Sequence, residues 1–538
     1  MSIKKEIKDK IKLSLKKLNI DEDNIIIEVP KDKTKGDYST SIAITLTKKL
    51  KQKPMDIAKK ILENIELEDL ATAEAVLPGF INFKLNKEYL LSKINTIITE
   101  GKNYGRNNTG NNTKINIEFV SANPTGSLHI GHARGATYGD NLARILKFSG
   151  YDVTKEYYVN DAGNQMNNLG ISIKERYKEL CNLPYQIPED GYHGKEIITI
   201  AKGIYEIYGK TKLEEDIEFF KQKGLEVLLK QIKEVLDNYR VNFDVFTSEQ
   251  SLYDSSQVDN VLSMLQKSGK CYIEDGALWL KTTDYNDEKD RVLIKNDGTY
   301  TYFLPDIAYH FNKINRGFDK LIDVLGSDHH GYINRLKASI EILGKDSNIL
   351  DIKILQMVRL IKDGEEVKIS KRTGKSITLT DLIDEIGVNA ARYFFSSKSL
   401  DTQMDFNLSL ASSQDNSNPV YYIEYANARI SSILSHYKET YNIDKFITLD
   451  TPLTYTILNK LYEFEDVVIQ ASNKKLPHLI ANYTYELASL FHTYYAQEKI
   501  IDEEYELYTK ERIIFIKAIK IVLNNALELL GILPREHM

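Results

Sequence analysis

Ser121-Ala-Asn-Pro-Thr-Gly-Ser-Leu-His-Ile-Gly-His132 decides how this chain is read, because it sets two histidines one helical turn apart behind a loop containing proline and glycine. Upstream, Lys114-Ile-Asn-Ile-Glu-Phe-Val120 alternates apolar and polar residues with β-branched character, a strand signal. Downstream, residues 132–148 have helical spacing and stop before Gly150. The motif therefore falls at a strand-to-helix turn. The first turn of a helix offers unpaired N–H groups and the positive end of its dipole, a seat for phosphate. Positions i and i+3 share a helix face, so His129 and His132 address one group, and Gly131 lets a flat base or sugar approach the backbone. Two surface histidines would give the same spacing. The zinc-protease pattern, with Glu after the first His and a four-residue spacing, is absent.

The longer run Glu118-Phe-Val-Ser-Ala-Asn-Pro-Thr-Gly-Ser-Leu-His-Ile-Gly-His-Ala-Arg-Gly135 resembles the HIGH signature of class I aminoacyl-tRNA synthetases, and specifically that of arginyl-tRNA synthetases. The resemblance implies that His129 and His132 contact the ATP phosphates and stabilise the pentavalent transition state, with Gly131 beside ATP and Asn123 helping to hold the amino acid. Lys368-Ile-Ser-Lys-Arg372, after the strand-turn pattern Met357 to Val367 with its turn at Asp363-Gly364, reads alone as a solvated basic loop. Far downstream of a HIGH element it matches the KMSKS loop in position and residue type. Ile369 replaces Met and Arg372 the final Ser, changes that keep the cations. Lys371 is assigned to the leaving pyrophosphate, with Lys368 and Ser370 as further ATP contacts.

Gly326-Ser-Asp-His-His330 ends an apolar strand, where open α/β sheets bind ligands. Asp328 suits a ribose hydroxyl, and His329 or His330 the amino acid or adenosine; three consecutive ligands do not readily converge on one metal ion, so none is assigned. A guanidinium needs anionic partners in a dry pocket. Tyr302-Phe-Leu-Pro-Asp306 supplies a tyrosine and a carboxylate at the spacing found in the arginyl side-chain pocket, with Glu118 and Asp161 or Gln165 as further candidates.

A chain of 538 residues with 42% hydrophobic and 28% charged residues has room for several ordinary globular domains. It has no apolar run of about 18 residues to cross a bilayer. The amphipathic start Met1-Ser-Ile-Lys-Lys-Glu-Ile-Lys-Asp-Lys has no apolar segment with a cleavage site after it. Cys181 and Cys271 form no CxxC pair, so a cytoplasmic enzyme without structural zinc is expected. The net charge of −6 argues weakly about a polyanionic partner, since local charge governs binding: residues 1–100 sum to roughly +3 and those after Pro419 to roughly −4.

The expected fold is α/β, a Rossmann-like parallel-sheet catalytic domain over 113–410 with an insertion at about 170–290. A small α/β N-terminal domain over 1–100 and an all-α anticodon-binding domain over 415–538 flank it, with Gly101 to Thr113 as linker. Gly36-Asp-Tyr-Ser-Thr and Tyr421-Tyr-Ile-Glu-Tyr-Ala-Asn-Ala-Arg429 resemble, respectively, the domain that touches the outer corner of tRNA and the opening of the anticodon domain. The implied reaction has two steps. Arginine attacks ATP·Mg²⁺ to give arginyl-adenylate and pyrophosphate, and the terminal ribose of tRNA(Arg) then takes the arginyl group. The family further implies that tRNA must be present for efficient activation, and a monomer is expected. A small-molecule nucleotidylyltransferase, a catalytically silent tRNA-binding paralogue and a class I synthetase for cysteine or glutamate are the competing readings.

Overall fold

The computed structural model describes residues 2–30, 32–327, 331–367, 377–437, 443 and 445–538. Two compact units are present: residues 108–413 with 530–532, and residues 1–107 with 414–529 and 533–538.

The first unit is organised by a five-stranded sheet. Its spatial order is Leu350–Leu355, Lys320–Gly326, Lys114–Glu118, Asp152–Val159, Val245–Ser248, and every neighbouring pair is parallel. Numbered along the chain this is 5-4-1-2-3, so the winding reverses between the first and fourth strands, the place where open α/β sheets bind ligands. Helix Ile130–Phe148 returns across the sheet from the first strand to the second. Its Gly139 lies where a Cβ would fall 2.2 Å from the Phe119 ring, so this glycine sets how closely helix and sheet approach.

Residues 170–290, expected as one insertion, contribute the third sheet strand, Val245–Ser248. That strand has only 4 residues, all half-buried, too short for a period of two to stand out from the helices around it. The insertion between the third and fourth strands carries an antiparallel sheet of Cys271–Glu274, Ala277–Leu280 and Arg291–Ile294. The expected strand Tyr272 to Leu280 is a hairpin whose turn, Asp275–Gly276, has φ of 51° and 75°.

In the second unit, strands Tyr38–Thr40, Phe80–Leu85 and Ala71–Val76 form an antiparallel sheet with helices Ile3–Lys17 and Pro54–Asn64. The C-terminal part is helical, with Pro419–Ser435, Pro452–Lys474, His478–Gln497 and Glu506–Leu529. The two parts join through residues of the expected linker: Tyr104 stacks on Phe464 at 6.5 Å and donates to the Leu461 carbonyl at 3.2 Å. Asn525 Nδ2 donates to the carbonyls of Gly101 and Tyr104 at 3.0 and 3.1 Å. Residues 101–104 are thus packed structure rather than spacer. Among the described residues no helix is long and apolar enough to cross a membrane.

Two helix glycines give opposite expectations. Gly139→Ala forces a methyl into the Phe119 ring and should lower stability by about 1–3 kcal/mol. Gly203→Ala, in helix Lys195–Tyr208 with open space at its Cβ position, should raise it by about 0.5–1 kcal/mol. Calorimetric midpoints of the two variants, shifted in opposite directions, check this.

Candidate active site

A cavity of roughly 700 Å³ opens at the reversal point of the sheet, lined by Glu118, Asn123, His129, Gly131, His132, Tyr302 and Asp306 among others. Seven expected site residues are thereby brought together. Asp328, His329, Lys368, Ser370 and Lys371 lie outside the described residues.

The turn into the histidine helix is strained. Val120 and Ser121 have φ of 68° and 38°, and a β-branched residue rarely occupies that region. Side bonds hold it: Ser121 Oγ accepts the Tyr158 N–H at 3.1 Å and donates to Glu118 Oε1 at 3.0 Å, while the Tyr157 hydroxyl donates to the Ala122 carbonyl at 2.8 Å. His129 then caps helix Ile130–Phe148, its Nδ1 accepting the Gly131 N–H at 3.1 Å. His132 Nδ1 in turn accepts the His129 N–H at 3.2 Å, and the rings stack with centroids 3.7 Å apart. A Cβ on Gly131 would meet His129 Cε1 at 3.0 Å, so this glycine makes room for the capping ring.

With both Nδ1 atoms accepting, the ring hydrogen of each histidine must sit on Nε2, available to an incoming acceptor. Burial lowers the pKa of His129; burial, aided by the neighbouring His129, takes that of His132 to about 4. The pair is therefore a set of neutral N–H donors at neutral pH.

The floor is a charge lattice. Glu118, a candidate arginine ligand, already receives Lys313 Nζ at 2.5 Å on Oε2. Lys313 also donates to Asp323 Oδ1 at 2.8 Å, and His310 Nε2 lies 2.7 Å from Asp323 Oδ2. His310 Nδ1 faces the Asp306 carbonyl at 2.7 Å. A carbonyl and a carboxylate only accept, so both ring nitrogens carry hydrogen and His310 is an imidazolium. Burial opposes that charge, but Asp323 outweighs it and raises the pKa.

Glu118 and Asp323 are thus matched by Lys313 and His310, whereas Asp306 and Glu249 are not. Among the described residues neither is ion-paired with a lysine or arginine. Burial, with Glu249 and Glu118 adding to it, raises Asp306 to about 7 despite opposition from His310 and the Tyr332 hydroxyl. Glu249 is raised by burial and by Asp161. Tyr302, 62% exposed, stands at the N-cap of helix Phe303–Asn315, whose first turn carries Asp306. Asn123 Nδ2 donates to Gln165 Oε1 at 2.9 Å. Asp161 is engaged elsewhere, accepting from Ser248 Oγ at 2.7 Å and the Gln250 N–H at 2.9 Å. Among the described residues no group of three or more His, Cys, Asp or Glu could hold a metal ion.

The parallel sheet and the two-histidine helix cap at its reversal point fall within residues 93–407, which match the family described as tRNA synthetases class I (R), catalytic domain, and this makes the chain a class I aminoacyl-tRNA synthetase. The arginyl tRNA synthetase N terminal domain matches residues 3–85 and the DALR anticodon binding domain residues 423–538. An arginine–tRNA ligase of Listeria monocytogenes is 49% identical over 525 residues, 96% of this chain and 94% of that protein. One of Bacillus subtilis is 46% identical over 551 residues, 100% of this chain and 99% of its own length. The arginyl-tRNA synthetase of Thermus thermophilus, 20% identical, shares the fold with a TM-score of 0.78 over 99% of this chain and 100% of that one. The chain belongs to the arginyl-tRNA synthetase family, enzymes that join arginine to tRNA. Matches along the whole chain leave the nucleotidylyltransferase reading and the other amino acids without support.

The histidine geometry is open to measurement. Nitrogen NMR should find His132 unprotonated at Nδ1 and unresponsive to pH from about 8 down to about 5.5. Because its folded pKa, about 4, lies below the ordinary 6.5, the unfolded chain takes up the proton first, and the ring's contribution to stability is lost as pH falls across that interval. A His132 titration midpoint near the ordinary value would refute the assignment.

Proposed function

We propose that Asp306, Glu249 and Tyr302 receive the guanidinium of arginine, while Asn123, held by Gln165, addresses its amino-acid end. The observation that carries this reading is a pair of carboxylates with no lysine or arginine partner among the described residues, in a cavity whose other carboxylates are already matched. A guanidinium supplies the missing charge and planar donors. Glu118 serves indirectly, since Lys313 and Ser121 occupy its oxygens.

His129 and His132 donate their Nε2 hydrogens to the phosphates of ATP, which enters with Mg²⁺ as substrate. The arginine carboxylate oxygen bonds to the α-phosphorus as the bond to pyrophosphate breaks, and the terminal ribose hydroxyl of tRNA(Arg) then attacks the arginyl carbonyl, releasing AMP. Positioning and electrostatics suffice, without a covalent enzyme intermediate. Lys371, Lys368 and Ser370 are assigned to the phosphates, and Asp328 and His329 to ribose and amino acid, on their motifs alone. The enzyme works as a cytoplasmic monomer in this reading.

For the tRNA, the helical domain offers aromatic and cationic side chains together. Tyr422 lies 4.2 Å and Tyr425 5.7 Å from the His492 ring, and the Arg429 guanidinium sits over Tyr425 at 4.3 Å and Tyr495 at 4.2 Å. Such faces stack unpaired bases in an anticodon loop. The N-terminal sheet domain takes the outer corner of the tRNA.

ATP–pyrophosphate exchange with each standard amino acid, with and without total tRNA, tests the reading: arginine alone should respond, and only with tRNA present. Another responding amino acid sinks the pocket assignment. Asp306→Asn should weaken arginine binding by about 1.5–3 kcal/mol, read as KM. Since Asp306 holds its proton below about 7 in the free cavity, KM for arginine should fall as pH rises through that value, and the Asn variant should lose this dependence. A flat parent profile contradicts the assignment.

A further inference from the structure

Two residues beyond His132, Arg134 is buried and its guanidinium is committed to main-chain carbonyls. Nη1 donates to Gln356 at 2.8 Å, and Nη2 to Ser399 at 2.7 Å and Thr402 at 2.8 Å. Burial pulls its pKa down to about 10, with Asp401 opposing. The planar fork makes this a brace of fixed geometry.

The braced carbonyls begin a second, smaller sheet. Gln356 precedes strand Val358–Lys362 and Thr402 precedes Met404–Asn407, and these strands pair in parallel from Val358 and Met404. Leu355, Gln356, Met357 and Val358 form one wall of the cavity that Gly131, His132 and Gly135 also line. A second tie lies further along the chain. The Leu379 N–H donates to the Leu128 carbonyl at 2.8 Å, and His129 and Thr378 form an antiparallel bridge. Thr378 is itself set by Asp381, donating to Oδ2 at 2.7 Å and accepting its N–H at 3.1 Å. The histidine turn and its helix are thus fastened both to the wall Leu355–Val358, at Gln356, and to the point where the chain starts helix Leu379–Ser396.

We propose that Arg134 and Thr378 are positioning residues that hold the wall Leu355–Val358 in register with His129 and His132, so that they govern the ATP half of the reaction and leave arginine recognition untouched. The proposal rests on the reading that ATP occupies this cavity. A small misplacement of reacting groups by a residue that never touches them costs up to about 100-fold in rate.

The test uses the full-length enzyme with tRNA in pyrophosphate exchange, each variant's thermal midpoint recorded alongside. Arg134→Lys keeps the charge but loses the fork. It should raise KM for ATP by about tenfold and lower kcat, with KM for arginine within about twofold of the parent. Thr378→Ala should raise KM for ATP and lower kcat with KM for arginine unchanged, and Thr378→Ser should restore both. If Arg134→Lys does not fold, the Thr378 pair decides. Equal rises in both KM values, or a lowered midpoint with unchanged constants, would show ordinary structural residues and overturn the proposal. A parent enzyme that exchanges no pyrophosphate with arginine condemns the functional reading itself, a distinct result.

Discussion

Lys313 is the residue on which the site depends. Glu118 and Asp323 are direct neighbours across the first and fourth strands, so the reversal point of the sheet places two carboxylates side by side in its interior. Like charges in that position would drive the strands apart. Lys313, with no exposed side-chain surface, bonds to both and turns a repulsion into a bridge. Removing one member of a buried ionic group leaves an uncompensated charge, at a cost of about 3–5 kcal/mol. His310 extends the same logic, so helix Phe303–Asn315 is docked through cations on one side while presenting Asp306 to the cavity. Among the described residues, Asp306 and Glu249 are therefore a remainder: the carboxylates of the cavity left without a lysine or arginine after its interior has been balanced.

That balance explains why the sequence discloses some of the site and conceals the rest. The strand, the turn and the histidine helix form one contiguous run whose hydrophobic period and capping residues are local, so both fold and chemistry are legible there. Tyr302 and Asp306 are singled out by a spacing that resembles the family's, and the structure sets the first at the N-cap and the second in the first turn of helix Phe303–Asn315, both on the cavity. Lys313 and His310 are not, because a lysine or histidine on an amphipathic helix ordinarily belongs to the solvated face, and only the pairing of distant strands reveals what they neutralise. Glu249 is hidden for the same reason, being set in the cavity by the short strand Val245–Ser248 that precedes it. The strain at Val120 and Ser121 leaves no compositional trace, since glycine would be the usual occupant. The join of N-terminal and helical domains, made by Tyr104 with Phe464 and by Asn525 with Gly101, pairs residues that no local pattern connects.

The histidine turn carries a constraint of its own. On the reading proposed above its two rings address the phosphates of ATP, and such an interaction speeds the chemical step only where it is stronger in the transition state than in the ground state. Each ring spends its Nδ1 on the backbone of the turn, the rings stack, and burial holds both in the neutral form. With ATP bound as proposed, neutral, fixed Nε2–H donors strengthen as charge gathers on the phosphate under attack. The turn that satisfies the helix terminus is the turn that orients the donors. It follows that a shift of the His129 backbone alters capping and donor direction together, and the Arg134 bonds to the carbonyls of Gln356, Ser399 and Thr402 are the brace proposed to prevent it.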